Sequence, residues 1–413
     1  MRKKMMVRMG RKKTLTSIVC IALVVMLAGV LMMPAQGTAK AKAGEGKTLK
    51  IGAIIALSGW FSPFGLVAKD IAEITRDIIN ERGGIVVKGE HYMVELLIED
   101  YGSTFPGVTA ATNKLVYDKG VKYLMTPSAF FTPPTTAIAE PNKVLRVQTF
   151  NVFSPDELSK DTPYAFLCND GSLEHNIALV KYLKDNHPEI KSVTVVLPEN
   201  NLAKLWPEVK KMLENAGIEV IGKPISFLDE IVDWTPIAAK AIAAKSDAVY
   251  NSSALALHMG ALLKSMREQG SDKFLAVVIG TSPTSVMAVS GKEAAYNFAA
   301  VGLVPFPPDA PPLMTEIMKR FYANHGLDSG FTLQPANCLW MLKQAIEKAQ
   351  SLDTTVVRDT WEKMETFDSP FGTSYLGGLK TYGIKHAVPH PNAISVLENG
   401  EAKFGAWVEV RVP

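Results

Sequence analysis

From residue 49 onward the chain alternates short β-rich runs with amphipathic helices, and that alternation restricts the fold more than any single motif does. Leu49–Ala56 reads as a strand and Val67–Glu81 as a helix: Val67, Ile71, Ile74 and Ile78 recur at helical spacing, and Gly83-Gly84 supplies the stop. Strands follow at Tyr92–Ile98, Val121–Met125 and Val144–Phe150, with a helix at Gly107–Asp118. The alternation resumes with helices over 173–186, 202–216, 236–245 and 255–269 and strands over 192–197, 219–222, 248–251 and 274–279. Repeated β–α–β units imply parallel sheets with right-handed crossovers. Past Pro-rich 306–312 the pattern changes to helices over 313–324, 332–350 and 354–366, then a hairpin over 394–410 whose Asn399-Gly400 is the preferred pair for a two-residue turn.

The first 41 residues follow a different grammar. Arg2, Lys3, Lys4, Arg8, Arg11, Lys12 and Lys13 precede an apolar run from Leu15 to Met33, then Pro34 and small residues. That is the order of a secretory signal, and residues 1–41 are expected to be removed on export. A retained anchor is the alternative, because the run is long enough to span a bilayer. Cys20 follows Val19, a poor context for a lipoprotein signal. Without this segment 36 Lys and Arg face 41 Asp and Glu, which gives no nucleic-acid footprint. Cys168 and Cys338 remain, read as buried small residues with one disulfide as the alternative. The rest of the chain is long enough for two lobes.

Catalytic and cofactor signatures are missing. No P-loop, dinucleotide fingerprint, H-E-x-x-H, C-x-x-C or nucleophile elbow occurs. His386 and His390 are separated by Pro389, read as a surface loop with no metal site. Glu99 and Asp100 point to opposite faces of a strand and read as structural. No cofactor is expected. What remains is a set of polar and aromatic loops at the C-terminal ends of the strands, where open α/β sheets bind ligands: 58–65, 126–132, 150–154, 169–172, 251–254 and 280–283.

In KIGAIIALSG…FG (50–65), INERGGI (79–85), LLIEDYGS (96–103), KLVYDKGVKYLMTPSA (114–129), FSPDEL (153–158), DAVYNSS…LLKSMREQG (247–270) and VVIGTSP (277–283), the chain resembles the type I periplasmic solute-binding proteins of ABC transporters, in particular the leucine/isoleucine/valine-binding branch. The resemblance spans nearly the whole chain after the leader and rests on the order of these segments. It implies an α/β fold of two Rossmann-like lobes with parallel sheets, joined by a three-segment hinge. Lobe 1 is expected at 48–153 plus 298–378, lobe 2 at 166–291 plus 390–413, and the crossings at 153–166, 291–298 and 378–390. It implies a monomeric, extracytoplasmic receptor that hands a small solute to a membrane permease, with no nucleic-acid partner.

The site residues it implies are Trp60, Phe61 and Phe64 in the first loop, Ser128, Ala129 and Phe130 in the carboxylate-binding loop, and Phe150, Asn151 and Phe153. Asn169, Asp170, Ser172, Ser252, Ser253, Thr281 and Ser282 complete the set from the second half. Amino-acid binders of this family place an acid for the ligand ammonium where this chain has Ser172, with Asp170 two residues away, and a second acid near Ser282. Those departures, with the wealth of aromatics, imply an aromatic or branched carboxylate in preference to an α-amino acid. A sensory module of the same fold is the second reading. An exported hydrolase is the third, and would need a histidine such as His175 beside Ser128 or Ser172.

Overall fold

The computed structural model describes residues 46–127, 131–149, 157–278, 283–327 and 329–412, with the side chains of 201 and 202 excepted. The leader lies outside the described residues. The alternation does produce parallel sheets, and there are two of them.

The first sheet contains β1 (Lys47–Ile55), β2 (Ile85–Val87), β3 (Glu90–Asp100), β4 (Tyr123–Met125), β5 (Leu145–Gln148) and β6 (Ala165–Leu167), in the order β2-β3-β1-β4-β5-β6. All neighbours are parallel except β2 and β3. β1 is central and buried on both faces, as parallel strands flanked by helices must be. Leu49, Ile51, Ala53 and Ile55 pack under the helices Ser62–Glu81 and Gln334–Ala349, in a core with Ala72, Ile79, Leu342 and Ile346. Ile54 faces the opposite side, toward Val108, Ala111 and Leu115. Gly52 shares that side, and a Cβ there would stand 2.8 Å from Leu124.

The second sheet runs through β7 (Ser192–Pro198), β8 (Glu219–Val220), β9 (Ile225–Phe227), β10 (Ala248–Asn251), β11 (Phe274–Val278) and β12 (Phe298–Val301). After a small hairpin of β13 (Thr366–Ser369) and β14 (Gly372–Tyr375), β15 (Asn392–Glu398) returns to it antiparallel to β12, and β16 (Glu401–Val408) pairs antiparallel to β15 at the edge. Asn399 and Gly400 both have positive φ, so the predicted two-residue turn is formed. Helices Ser172–Asn186 and Trp206–Asn215 cover one face, Thr235–Ala243 and Ala256–Glu268 the other.

Three boundaries differ from expectation. β6 stands in the first sheet, whereas the sequence places residues from 166 onward in the second lobe. β12 stands in the second sheet, although residues from 298 were assigned to the first. Both strands are short and lack a polar face (AFL and FAAV), so they carry no alternating pattern and are fixed by their neighbours. The third helix of the 313–366 group stops at Trp361, because β13 begins at Thr366.

Where the chain passes from one sheet to the other, Leu158, Ala165, Leu167, Tyr382, Ala387 and Val412 form a separate small core. Leu167 N–H donates to His386 O at 2.9 Å, and Val388 N–H returns to Leu167 O at 2.8 Å. Gly377 allows the C-terminal segment to pass: a Cβ there would stand 2.2 Å from Val412 O.

Candidate ligand-binding site

The loop after β1 is held by the end of β3. Asp100 accepts from Leu57 N–H (2.8 Å), Ser58 N–H (3.3 Å), Ser58 Oγ–H (2.6 Å) and Gly102 N–H (2.9 Å). Partial burial opposes its charge, but these donors outweigh it and hold the carboxyl below its usual range. Ser103 closes the other side, its hydroxyl donating to Ser58 O (2.9 Å) and accepting from Phe61 N–H (3.0 Å). Gly65 then lets the helix start against the strand end, since a Cβ there would stand 1.8 Å from Ala56 O. Glu99 points away and pairs with Lys114 at 2.8 Å.

This clamped loop presents an aromatic wall. Trp60, 60% exposed, meets Phe61 edge-on at 5.3 Å, and Phe61 stacks on Phe64 at 5.0 Å. Phe131 lies 6.2 Å from Trp60, 5.0 Å from Tyr101 and 5.3 Å from Phe105. Tyr101, Phe105 and Phe131 are not among the expected site residues. Tyr101 and Phe105 bracket the connection after β3 and Phe131 precedes the helix Thr132–Ala139, so no local pattern joins them to Trp60. Ser128, Ala129, Phe130, Phe150, Asn151, Phe153, Thr281 and Ser282 lie outside the described residues.

The second sheet contributes hydroxyls. Asn176 holds two loops together, donating to Ser172 O (2.6 Å) and Ser252 O (2.8 Å) while accepting from Tyr250 O–H (2.7 Å). Ser172 Oγ and Ser252 Oγ are buried without a hydrogen-bond partner among the described residues. A buried polar atom left in that state costs about 1–3 kcal/mol, and such atoms mark places for a solute or a water. Ser253 is buried beside them. A cavity of about 560 Å³ opens at the end of β7, where Pro198, Glu199 and Asn200 face Trp206 and Lys223. Trp206 and Lys223 were not anticipated either.

Two expected residues turn inward instead. Asn169 donates to Gln148 O (3.3 Å), Gln334 O (3.1 Å) and Cys338 Sγ (3.2 Å). Asp170 accepts from His390 N–H at 2.9 Å and from Asn392 Nδ2. It is fully buried, and burial pushes it up to about 7 against those two hydrogen bonds.

The surface loop expected around His386 and His390 is a correction: both imidazoles are buried. The proline-flanked segment runs between elements rather than over them. His386 contacts Ala165 O (2.9 Å) and Glu362 Oε1 (2.8 Å) and stacks on Phe166 at 3.9 Å. His390 stacks on Phe371 at 3.6 Å. Among the described residues no group of three or more His, Cys, Asp or Glu could hold a metal. Burial pushes His175 down to about 3, and Ser172 Oγ has no partner, so no Ser–His pair forms between them. Cys168 and Cys338 are free and buried. No described helix is long and apolar enough to cross a membrane.

Known proteins share this fold. The periplasmic binding protein family profile matches residues 48–398. The Leu/Ile/Val-binding protein BraC3 of Rhizobium johnstonii is 31% identical over 207 residues, covering 49% of this chain and 53% of that protein, so the match spans about half of the relative's length. LivJ from Streptococcus pneumoniae, solved with isoleucine, superposes with a TM-score of 0.72 at 16% identity, covering 88% of this chain and all (100%) of that one. An R. palustris ABC transporter solute-binding protein solved with benzoate gives 0.68 at 17% identity, covering 89% and 98%. At these identities the two structures speak to the fold.

Proposed function

Because the chain belongs to the periplasmic binding protein family, we propose that it is the extracytoplasmic solute receptor of an ABC importer, closing two lobes on a small amphiphilic carboxylate and delivering it to a membrane permease. In this reading residues 1–41 are the export signal. The first lobe is built on β1–β6 and the second on β7–β12 with β15 and β16. The crossings follow β6, follow β12 and precede β15. The relatives are named as binding proteins, which supports a receptor over an enzyme.

The ligand class rests on one observation. Asp170, the acid nearest the position where amino-acid binders of this kind hold the ammonium, is tied to His390 and Asn392. A buried ammonium without a partner is costly. The wall of Trp60, Phe61, Phe64 and Phe131 instead suits an apolar body, gaining about 25 cal/mol per Å² removed from water. The buried hydroxyls of Ser172 and Ser252, which have no partner among the described residues, suit a carboxylate. An aromatic or branched carboxylate therefore fits better than the matching α-amino acid. Mass spectrometry of the solute that co-purifies with the protein tests this. A phenyl-acid or branched keto acid supports it, and a co-purified amino acid overturns it.

A further inference from the structure

The cavity at the end of β7 shares no residue with the aromatic wall or with the Ser172 and Ser252 hydroxyls, and the edge of the second sheet explains why it is there. Val193 pairs with Val220 and Val196 with Ile225, so the edge uses more residues than β7 over the same length. The surplus bows out at Gly222, Lys223 and Pro224, with Gly222 at φ 73°. Below the bow Ile221 N–H donates to Val193 O at 2.8 Å, and above it Glu199 N–H donates to Phe227 O at 2.7 Å. The space left between the bow and the helix Trp206–Asn215, about 560 Å³, falls in the range of small-molecule sites.

The walls of this cavity are apolar. Leu197 and Pro198 are buried at the end of β7, and Trp206 packs part of its surface on the core of the second sheet. Pro198 and Pro224 have no N–H to offer, so recognition falls to side chains. Asn200 Nδ2 is committed to Asp229, at 2.9 and 3.0 Å, and Ser226 adds one hydroxyl. Two charges remain. Lys223 and Glu199 both line the cavity, and among the described residues neither makes a side-chain hydrogen bond or an ion pair, with the other or with a third group. Lysines on the helices that cover the same sheet do pair, Lys181 with Asp185 and Lys210 with Glu214. A simple anion in the cavity would meet the like charge of Glu199, and a simple cation that of Lys223. A molecule that carries both charges meets neither objection.

We infer that this cavity is a second solute site, for a small zwitterion with an apolar or aromatic body: carboxylate on Lys223, ammonium on Glu199, body on Trp206. A free α-amino acid and a short peptide share that chemistry. Both protein charges are exposed, so the site is weak, in the millimolar range. It differs from the proposed cleft ligand by one charge, since it requires the ammonium that the cleft does without. It stands whether or not the receptor reading above holds.

Two-dimensional proton–nitrogen NMR of the full mature chain tests it. The indole N–H signal of Trp206, assigned with Trp206→Phe, is followed as phenylalanine, phenylpropionate, phenethylamine and phenylalanyl-leucine are added in turn. Phenylalanine is expected to shift it saturably, and the two singly charged probes to act at least about fivefold more weakly. Lys223→Met and Glu199→Gln should each weaken phenylalanine about fivefold without moving the melting temperature, because both side chains are exposed. Tighter binding of phenylalanyl-leucine supports the site with a peptide as its source, and tighter binding of phenylalanine supports it with a free amino acid. No shift with phenylalanine, an equal response to phenylpropionate, or a shift that survives both substitutions and so arises in the cleft, overturns the proposal.

Discussion

Asp100 and Asp170 are the same residue at the same edge of one sheet, and the fold uses them in opposite ways. Asp100 ends β3 at the surface, surrounded by N–H and hydroxyl donors, and is held ionised below its usual range. Asp170 follows β6 where the chain crosses between sheets, buried with two donors and no cation, and is pushed up to about 7. The first staples an exposed aromatic loop in place. The second is consumed by the crossing, bound to His390 and Asn392. Position at a strand's C-terminal end does not by itself make an acid a ligand contact; what the returning chain does to it decides.

The comparison can be broken at several points. The largest effect is expected at the loop clamp. Gly65→Ala drives a Cβ into the Ala56 carbonyl, and should cost about 3 kcal/mol by denaturant unfolding. Next comes the pH dependence of stability, where the two acids have opposite signs. Asp170 and Glu174 are raised, so their contribution is fully present below about pH 4 and is lost as pH rises through about 7. Asp100 is lowered, so its contribution is present above about pH 4 and is lost as pH falls. Melting curves from pH 3 to 9 should therefore have a shallower neutral slope in Asp170→Asn, where Glu174 remains, and a shallower acid slope in Asp100→Asn. At fixed neutral pH, Asp100→Ala should cost about 2 kcal/mol by releasing the donors of Leu57, Ser58 and Gly102. Trp60→Ala should leave stability within about 0.5 kcal/mol, because the ring is mostly exposed, yet weaken an aromatic carboxylate about tenfold in a calorimetric titration. The smallest effect is at the second sheet. Ser252→Ala removes a buried hydroxyl that has no partner, and should raise stability by at most about 1 kcal/mol while weakening the solute.

Long elements were legible because their patterns are long. Ser62–Glu81 repeats its apolar stripe over five turns, and the β15–β16 hairpin is announced by Asn399-Gly400. β2, β6 and β12 were not, being three or four residues without alternation, formed because neighbouring strands complete them. The first-loop aromatics were readable as a candidate wall from one segment, whereas Phe105 and Phe131 join them only in three dimensions. The burial of His386 and His390 and the capture of Asp170 share one cause. Each depends on contacts more than 200 residues apart in sequence, which no local spacing encodes.

The proposed ligand, a carboxylate without an ammonium, needs no acidic partner in the site. Paired isothermal titrations of the mature protein with phenyl-acids against phenylalanine, and with branched keto acids against leucine and valine, test it. Carboxylates binding at least about tenfold tighter, a difference of about 1.4 kcal/mol, is the predicted result. Amino acids binding tighter by that margin would contradict it, and would mean that Asp170 leaves His390 and Asn392 to meet the ligand.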